Sequence, residues 1–422
     1  MNPKAESLCF LFLFFHLFTH FKILVIIPLF SSYTNCNMDK LRRIHMSKKY
    51  PLTFGLLLLI FMLLHYPNLC LQAAQDGLLL WFNKVLPSLL PFMILINILV
   101  PLNGLQPFIS WCTPFSKYLW HLPGESLFAF LIGIIAGYPM GAKVIKSLYT
   151  QHKLTQEEAE RTLCFCNNCG PLFIIGTIGT AMLSQAHLGY FLFFIHLLSA
   201  CIMSLLVTRN LPSTSSSTYK QSSSPAPNFS KLLNLAVMNA MDTIVCVGGY
   251  IILFSVLLAL MTQTPFSQEL FSKFLNPSIY SLFQGILSSC FELSNGVYSL
   301  SKLPLTTYSL ALISAAIGFG GICVYFQALF VLEDTSLNTR PFFISKSIQG
   351  LLSFALTLLL SPVYLKYTEN TVYTSNTSFT FSLPSIFLAT LLLLISVIIP
   401  QFLFKKTSHP YHFKQLSSYK TK

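Results

Sequence analysis

The chain has 422 residues, of which 54% are hydrophobic and 9% charged, with a formal net charge of +13. A soluble domain carries about 25% charged residues, so this chain lacks the polar groups to cover a water-facing surface. A mean hydropathy of +0.65 excludes an ordinary soluble fold and points to a multi-spanning membrane protein. The positive excess then marks cytoplasmic loops and requires no nucleic-acid partner. Eleven cysteines lie mostly inside apolar runs and read as small buried residues, not as a disulfide framework.

Residues 1–50 form an N-terminal extension and a basic leader. Its apolar run "LCFLFLFFHLFTHFKILVIIPLF" is interrupted by His16, His20 and Lys22 and ends without a small-residue cleavage site. Residues 1–37 are either an extra anchor or an over-extended reading frame. Met38 or Met46 could start the chain, with "MDKLRRIHMSKKY" as the leader.

Apolar stretches of membrane-spanning length follow near 52–71, 78–101, 188–208, 233–261, 342–365 and 383–404. Two more, 155–184 and 306–332, are broken in the middle by Gly, Pro or Asn. Stretches 125–149 and 278–300 are too short or too broken to cross once, and read as hairpins that enter and return. The basic residues orient this set. Lys40, Arg42, Arg43, Lys48 and Lys49 precede the first span, and Lys146, Lys153, Arg161, Arg209, Lys220, Lys231 and the tail lysines from Lys405 on fall on the same side. The opposite side holds Lys273, Lys302 and Lys366. That agreement requires both hairpins to return to the side they came from.

The expected architecture is therefore an all-α polytopic membrane protein, an inverted repeat with two re-entrant hairpins and two broken transmembrane helices. The first repeat occupies 51–208 and the second 231–365. Between them lies a Ser-rich cytoplasmic linker, 209–230. An outer loop and last transmembrane helix (366–404) and a basic cytoplasmic tail (405–422) close the chain.

Each repeat carries one break at a hairpin tip and one in a crossing helix. The tips are "GYPMGAK" (137–143) and "FELSNG" (291–296), and the helix breaks are "FCNNCGP" (165–171) and "GFGGICVYFQ" (318–327). Backbone released from helix inside a bilayer must be satisfied by protein or by a water-lined cavity, so four breaks in matching places predict one shared cavity. Gly137, Pro139, Gly141, Gly170, Pro171, Gly318, Gly320 and Gly321 are the expected break residues. Free N–H groups at half-helix N-termini suit anionic or carbonyl-bearing ligands. Asn167 and Asn168 can donate and accept there. Glu292 is the only acid of the second hairpin, and Lys143 is its basic counterpart at the other tip. Thr155 and Glu158 in "TQEEAER" spell a capping box.

Other chemistries find little footing. Cys164, Cys166 and Cys169 match no usual zinc spacing and have no accompanying His, so neither a metal site nor a cofactor is expected. No HExxH, no paired intramembrane aspartates and no Ser/His loop argue for an enzyme. "NTS" at 376–378 matches a glycosylation acceptor, which matters only in a secretory pathway.

The stretches "AGYPMGAKVIKSLY…LTQEEAERTLCFCNNCGPLFIIGTIGT" and "GFGGICVYFQALFVL" closely resemble the YlbJ-type sporulation integral membrane proteins, of the nucleoside-recognition (Gate) domain group. The resemblance covers about residues 50–405. It implies an endospore-forming bacterium and a relative of concentrative nucleoside transporters, with two re-entrant hairpins and two unwound helices meeting at the substrate. By motif position it places substrate binding on Tyr138, Asn167, Asn168, Glu292, Ser294 and Asn295. It links the protein to delivery of dipicolinate into the developing spore across the outer forespore membrane. The chain departs from the family in the three cysteines around the asparagines and in its long N-terminus.

The resulting expectation is a multi-pass cell-membrane transporter for a small anionic metabolite. A nucleoside-type transporter and a non-transporting membrane assembly protein of spore formation are the alternatives, and an oligomer is compatible with either. Dipicolinate, a dianion, needs positive partners in a low-dielectric site: Lys143, the half-helix N-termini, or a coupling cation held near Glu292. A neutral nucleoside could instead donate its ribose hydroxyls to Glu292.

Overall fold

The computed structural model describes residues 53–99, 106–209 and 229–368. The N-terminal extension, most of the Ser-rich linker, the 366–404 loop and helix and the basic tail lie outside the described residues or at their edge. Every regular element among the described residues is helical.

The first half begins with the short apolar helix α1 (Thr53–His65) and the 33-residue helix α2 (Pro67–Leu99). Pro67 starts α2 because its missing N–H and fixed φ suit a first helical turn. The expected pause near residues 72–77 therefore falls earlier, at Tyr66–Pro67, and the second crossing is longer than the sequence suggested. Next come α3 (Gln106–Trp120), α4 (Gly124–Ala136), α5 (Met140–Thr150), α6 (Gln156–Cys166), α7 (Leu172–Met182) and α8 (Ala186–Thr208). The second half runs α9 (Phe229–Thr262), α10 (Pro265–Phe274), α11 (Pro277–Phe291), α12 (Leu293–Ser301), α13 (Thr307–Phe319), α14 (Gly321–Leu332) and α15 (Arg340–Thr368).

From α2 on, the order of elements repeats. Each half has a long helix, a short amphipathic helix, two hairpin arms, two half-helices and a closing helix. The packing also crosses over in pairs. The returning arm α5 packs on α14 of the other half, and the returning arm α12 on α7. The closing helix α15 packs on α6, and α8 on α13. Among the described residues, five helices are long and apolar enough to cross a membrane, or six if the α3–α4 pair, bent by 96°, is one span. The chain is a multi-pass membrane protein.

Small residues set how closely the helices approach. The α2–α9 seam joins Gly77 to Ser255 and the Trp81 ring to Gly248, where an added Cβ would stand 2.7 Å from the ring. Trp81 Nε1 also donates to Ile244 O across that seam (3.0 Å). The predicted capping box is present: Thr155 accepts from the Glu158 N–H while the Glu158 carboxylate accepts from the Thr155 N–H. The short helices α3 and α10 were not expected. On α3, Trp111, Phe115 and Tyr118 face outward, while Ile109, Cys112 and Trp120 are buried.

Candidate functional site: hairpin tips, helix breaks and an adjoining cavity

At each expected tip the chain turns between two packed helices. The first turns at Gly137–Pro139 between α4 and α5, and the second at Glu292 between α11 and α12. Each tip lies against the break of its own half. At the first, an added Cβ on Gly137 would stand 3.0 Å from Gly170 N. At the second, an added Cβ on Gly321 would stand 3.2 Å from Phe291 O and Ser289 O.

The break between α13 and α14 is a single residue wide. Gly320 and Gly321 both have φ near +80° (83° and 82°), a region L side chains rarely enter. Thr307–Leu332 therefore still passes as one span. Gly318 and Gly141, expected as break residues, sit inside α13 and α5 instead. They serve close packing: Gly318 lies against Gly350 and the Gln349 carbonyl, and Gly141 against the Cys166 carbonyl and Asn167.

The side chains at the tips have specific tasks. Glu292 is buried, and its carboxylate accepts from the N–H groups of Ser294 (2.9 Å) and Asn295 (2.7 Å), capping α12. Asn167 Oδ1 accepts from the Ala142 N–H at 3.4 Å, in the first turn of α5. The Cys169 N–H, just before α7, donates to His196 Nε2 at 3.1 Å. Half-helix N-termini that looked open to an anion are thus partly filled by the protein's own acceptors.

Tyr138 reaches across the halves, and its hydroxyl donates to Ile317 O (3.0 Å) beside the second break. Asn168 is fully buried; its Nδ2 donates to Phe165 O (2.7 Å), and its Oδ1 accepts from Gln349 Nε2 (3.3 Å) and Lys346 Nζ (3.4 Å). Lys143 does not enter a shared cavity with Glu292. It reaches α9, donating to Asn239 O (2.9 Å) and Thr243 Oγ1 (2.7 Å).

A cavity of about 850 Å³ lies beside the second tip. Ser294 and Asn295 of α12 line it, with Ser288 of α11, Thr177 of α7 and Ser255 of α9. Asn295 Nδ2 donates to Ser255 Oγ (2.8 Å), tying hairpin to wall. The charged lining residues are Asp76, Lys84 and Lys302. Tyr138, Lys143, Asn167, Asn168 and Glu292 are absent from the lining: Tyr138, Asn167, Asn168 and Glu292 are buried in the protein core, and Lys143 is half-buried against α9.

Sequence reasoning missed two groups. Gln72, Asp76 and Asn83 form a polar stripe on α2, at i, i+4 and i+11, that faces the cavity. Their spacing in an otherwise apolar run was the available signal. Lys346, Gln349 and His196 carry no motif, and only a charge or polar group inside an apolar helix could have flagged them.

At the end of the molecule away from the cavity, polar contacts join the halves. Lys146 pairs with Asp334 (3.0 Å), Tyr149 shares a hydrogen bond with Ser336 (2.7 Å), and the Asn338 N–H donates to Glu160 (2.8 Å). Helices α6 and α7 run from this end to the cavity end. No group of three or more metal-ligating side chains occurs among the described residues.

No family model matches the chain, and no solved structure matches it. Among curated proteins, the chain is similar to the sporulation integral membrane protein YlbJ of Bacillus subtilis (strain 168), with 29% identity over 327 residues, covering 71% of this chain and 79% of that protein.

Proposed function

We propose that this chain is an integral membrane transporter of sporulation, not an enzyme, that moves a small anionic metabolite of the dipicolinate type across the forespore membrane. In this reading it is an inverted repeat of the Gate-domain kind, related in plan to concentrative nucleoside transporters. The name of the similar protein supports a membrane role in sporulation. The repeated order of elements and their crossed packing support the repeat.

The observation that carries the reading is the 850 Å³ cavity. It lies between the long first helices of both halves, the second hairpin and α7, and has the volume of a small-molecule site. Its lining is rich in hydroxyl and amide groups, with two lysines against one aspartate. That balance suits a small anion better than a cation. The polar contacts between halves at the far end fit a carrier closed on one side and open on the other.

The test is uptake into proteoliposomes. Labelled dipicolinate should enter saturably, and labelled uridine should not. Uptake of uridine alone would move the nucleoside reading ahead. Uptake of neither, from a folded and correctly inserted protein, would favour a membrane assembly role.

A further inference from the structure

The break between α6 and α7 holds a polar centre with more donors than acceptors. Lys346 of α15 is buried, at 3% exposure. Its ammonium donates to Gln349 Oε1 (2.7 Å) and Asn168 Oδ1 (3.4 Å), both neutral. No carboxylate among the described residues pairs with it.

Two further groups there lack partners: Asn167 Nδ2 and His196 Nδ1. Asn167, Asn168 and Cys169 are consecutive, and the Cys169 N–H donates to His196 Nε2. That bond keeps the lone pair on Nε2, so the neutral ring carries its proton on Nδ1. Both unpartnered atoms are therefore donors.

A buried lysine with no carboxylate partner is unfavourable in its charged form, and two unpaired buried donors add to the cost. A water molecule would accept from a donor but would leave the charge unbalanced. The face of the Tyr138 ring lies 5.6 Å from Lys346 Nζ and supplies a weak negative surface.

We infer that this centre is a binding subsite for a carboxylate group, with Lys346 as its counter-charge, Asn167 and His196 as further donors, and the Tyr138 ring as its cover in the empty state. It deepens the proposed function by placing the charge recognition of an anionic substrate on α15 and the first break. Lys143, which is engaged by α9, has no part in it. None of these residues lines the cavity, so the anion is held here only after the tip carrying Tyr138 moves aside.

The test is ligand-dependent thermal stability of the purified full-length protein in nanodiscs. The probes are dipicolinate, picolinate, malonate and, as a neutral control, uridine. At least one carboxylate should raise the Tm of the wild type. Lys346→Met should weaken that binding about tenfold to a hundredfold, the range for one charge-assisted contact, and Lys346→Arg should keep part of it. The Met variant should fold, because replacing a buried charge with an apolar group of similar volume is often neutral or stabilising.

A carboxylate that stabilises wild type and Lys346→Met equally overturns the inference, even if dipicolinate uptake is intact. So does a wild type that no carboxylate stabilises. If malonate binds through Lys346 and dipicolinate does not, the subsite stands and the proposed substrate fails.

Discussion

The tip at Gly137–Pro139 is sealed glycine to glycine against its break and shares no wall with the cavity, whereas the tip at Glu292 continues into residues that line it. The backbone plan is the same in both: arm, tip, arm, half-helix, break, half-helix. The surroundings are not. At the first tip, a side-chain amide accepts from an N–H in the first turn of α5, and in the adjoining break a histidine accepts from the Cys169 N–H. At the second, a carboxylate does so through two bonds below 3 Å. Two tips of one backbone plan can thus differ in surroundings, the first packed dry on its break and the second leading into a cavity wall. Three substitution pairs probe that difference.

The largest effect belongs to the first tip. A Cβ on Gly133 would collide with the Cys166 carbonyl. That oxygen is backbone at a break and cannot rotate away as a side chain could. Gly133→Val should cost more than about 3 kcal/mol, beyond ordinary overpacking, and leave little folded protein in size-exclusion chromatography. Gly249→Val is the matched control, because nothing lies within 4 Å of an added Cβ there. Similar folded yields for the two variants would mean that the first tip is not rigidly packed on its break.

An intermediate effect separates the caps. Glu292→Ala leaves two N–H groups unpaired beside a buried carboxylate site, at about 1–3 kcal/mol for each unsatisfied group. Asn167→Ala removes one 3.4 Å bond and also an unpartnered Nδ2 donor, so its net cost should stay below about 1 kcal/mol. Thermal melts should therefore rank Glu292→Ala well below Asn167→Ala, with Glu292→Gln between them because its amide oxygen still accepts. The reverse ranking would place the structural weight on the first tip.

These contrasts also explain what the sequence could reveal. Breaks and tips were legible because Gly and Pro signal backbone that leaves the helix. The capping box was legible because it is local: Thr155 and Glu158 are three residues apart. Gly318 and Gly141 misled because glycine serves both a break and a close helix contact, and only the neighbour distinguishes them. Lys143 shows the same limit. Its place near a tip was clear, but its partner, Thr243, is 100 residues away. Lys346 and Asn168 are 178 residues apart, so no local pattern could pair them. The cavity is likewise assembled from five helices of both halves, and its α2 stripe acquires meaning only once α9 and the second hairpin are in place.

The gentlest probe perturbs neither tip and reads water directly. Ser299 of α12 is half-buried and lines the cavity, while Ser345 of α15 is buried beside Lys346 and donates to Cys164 O (2.8 Å). Serine to cysteine changes volume little, so both variants should fold like the wild type. The described native cysteines are free thiols, and those at the first break, Cys164, Cys166 and Cys169, are buried; labelling is therefore scored as the excess over wild type. A thiol reacts as thiolate and only where reagent and water reach it. Ser299→Cys should react with a membrane-impermeant maleimide at least about tenfold faster than Ser345→Cys, because only the former borders the cavity. Adding a carboxylate ligand should slow the Ser299→Cys reaction if the cavity is on its route. Rapid labelling of Ser345→Cys without ligand would show that the first break is already wet. The two tips would then differ less in hydration than their packing implies, and Lys346 would reach solvent without any movement of Tyr138.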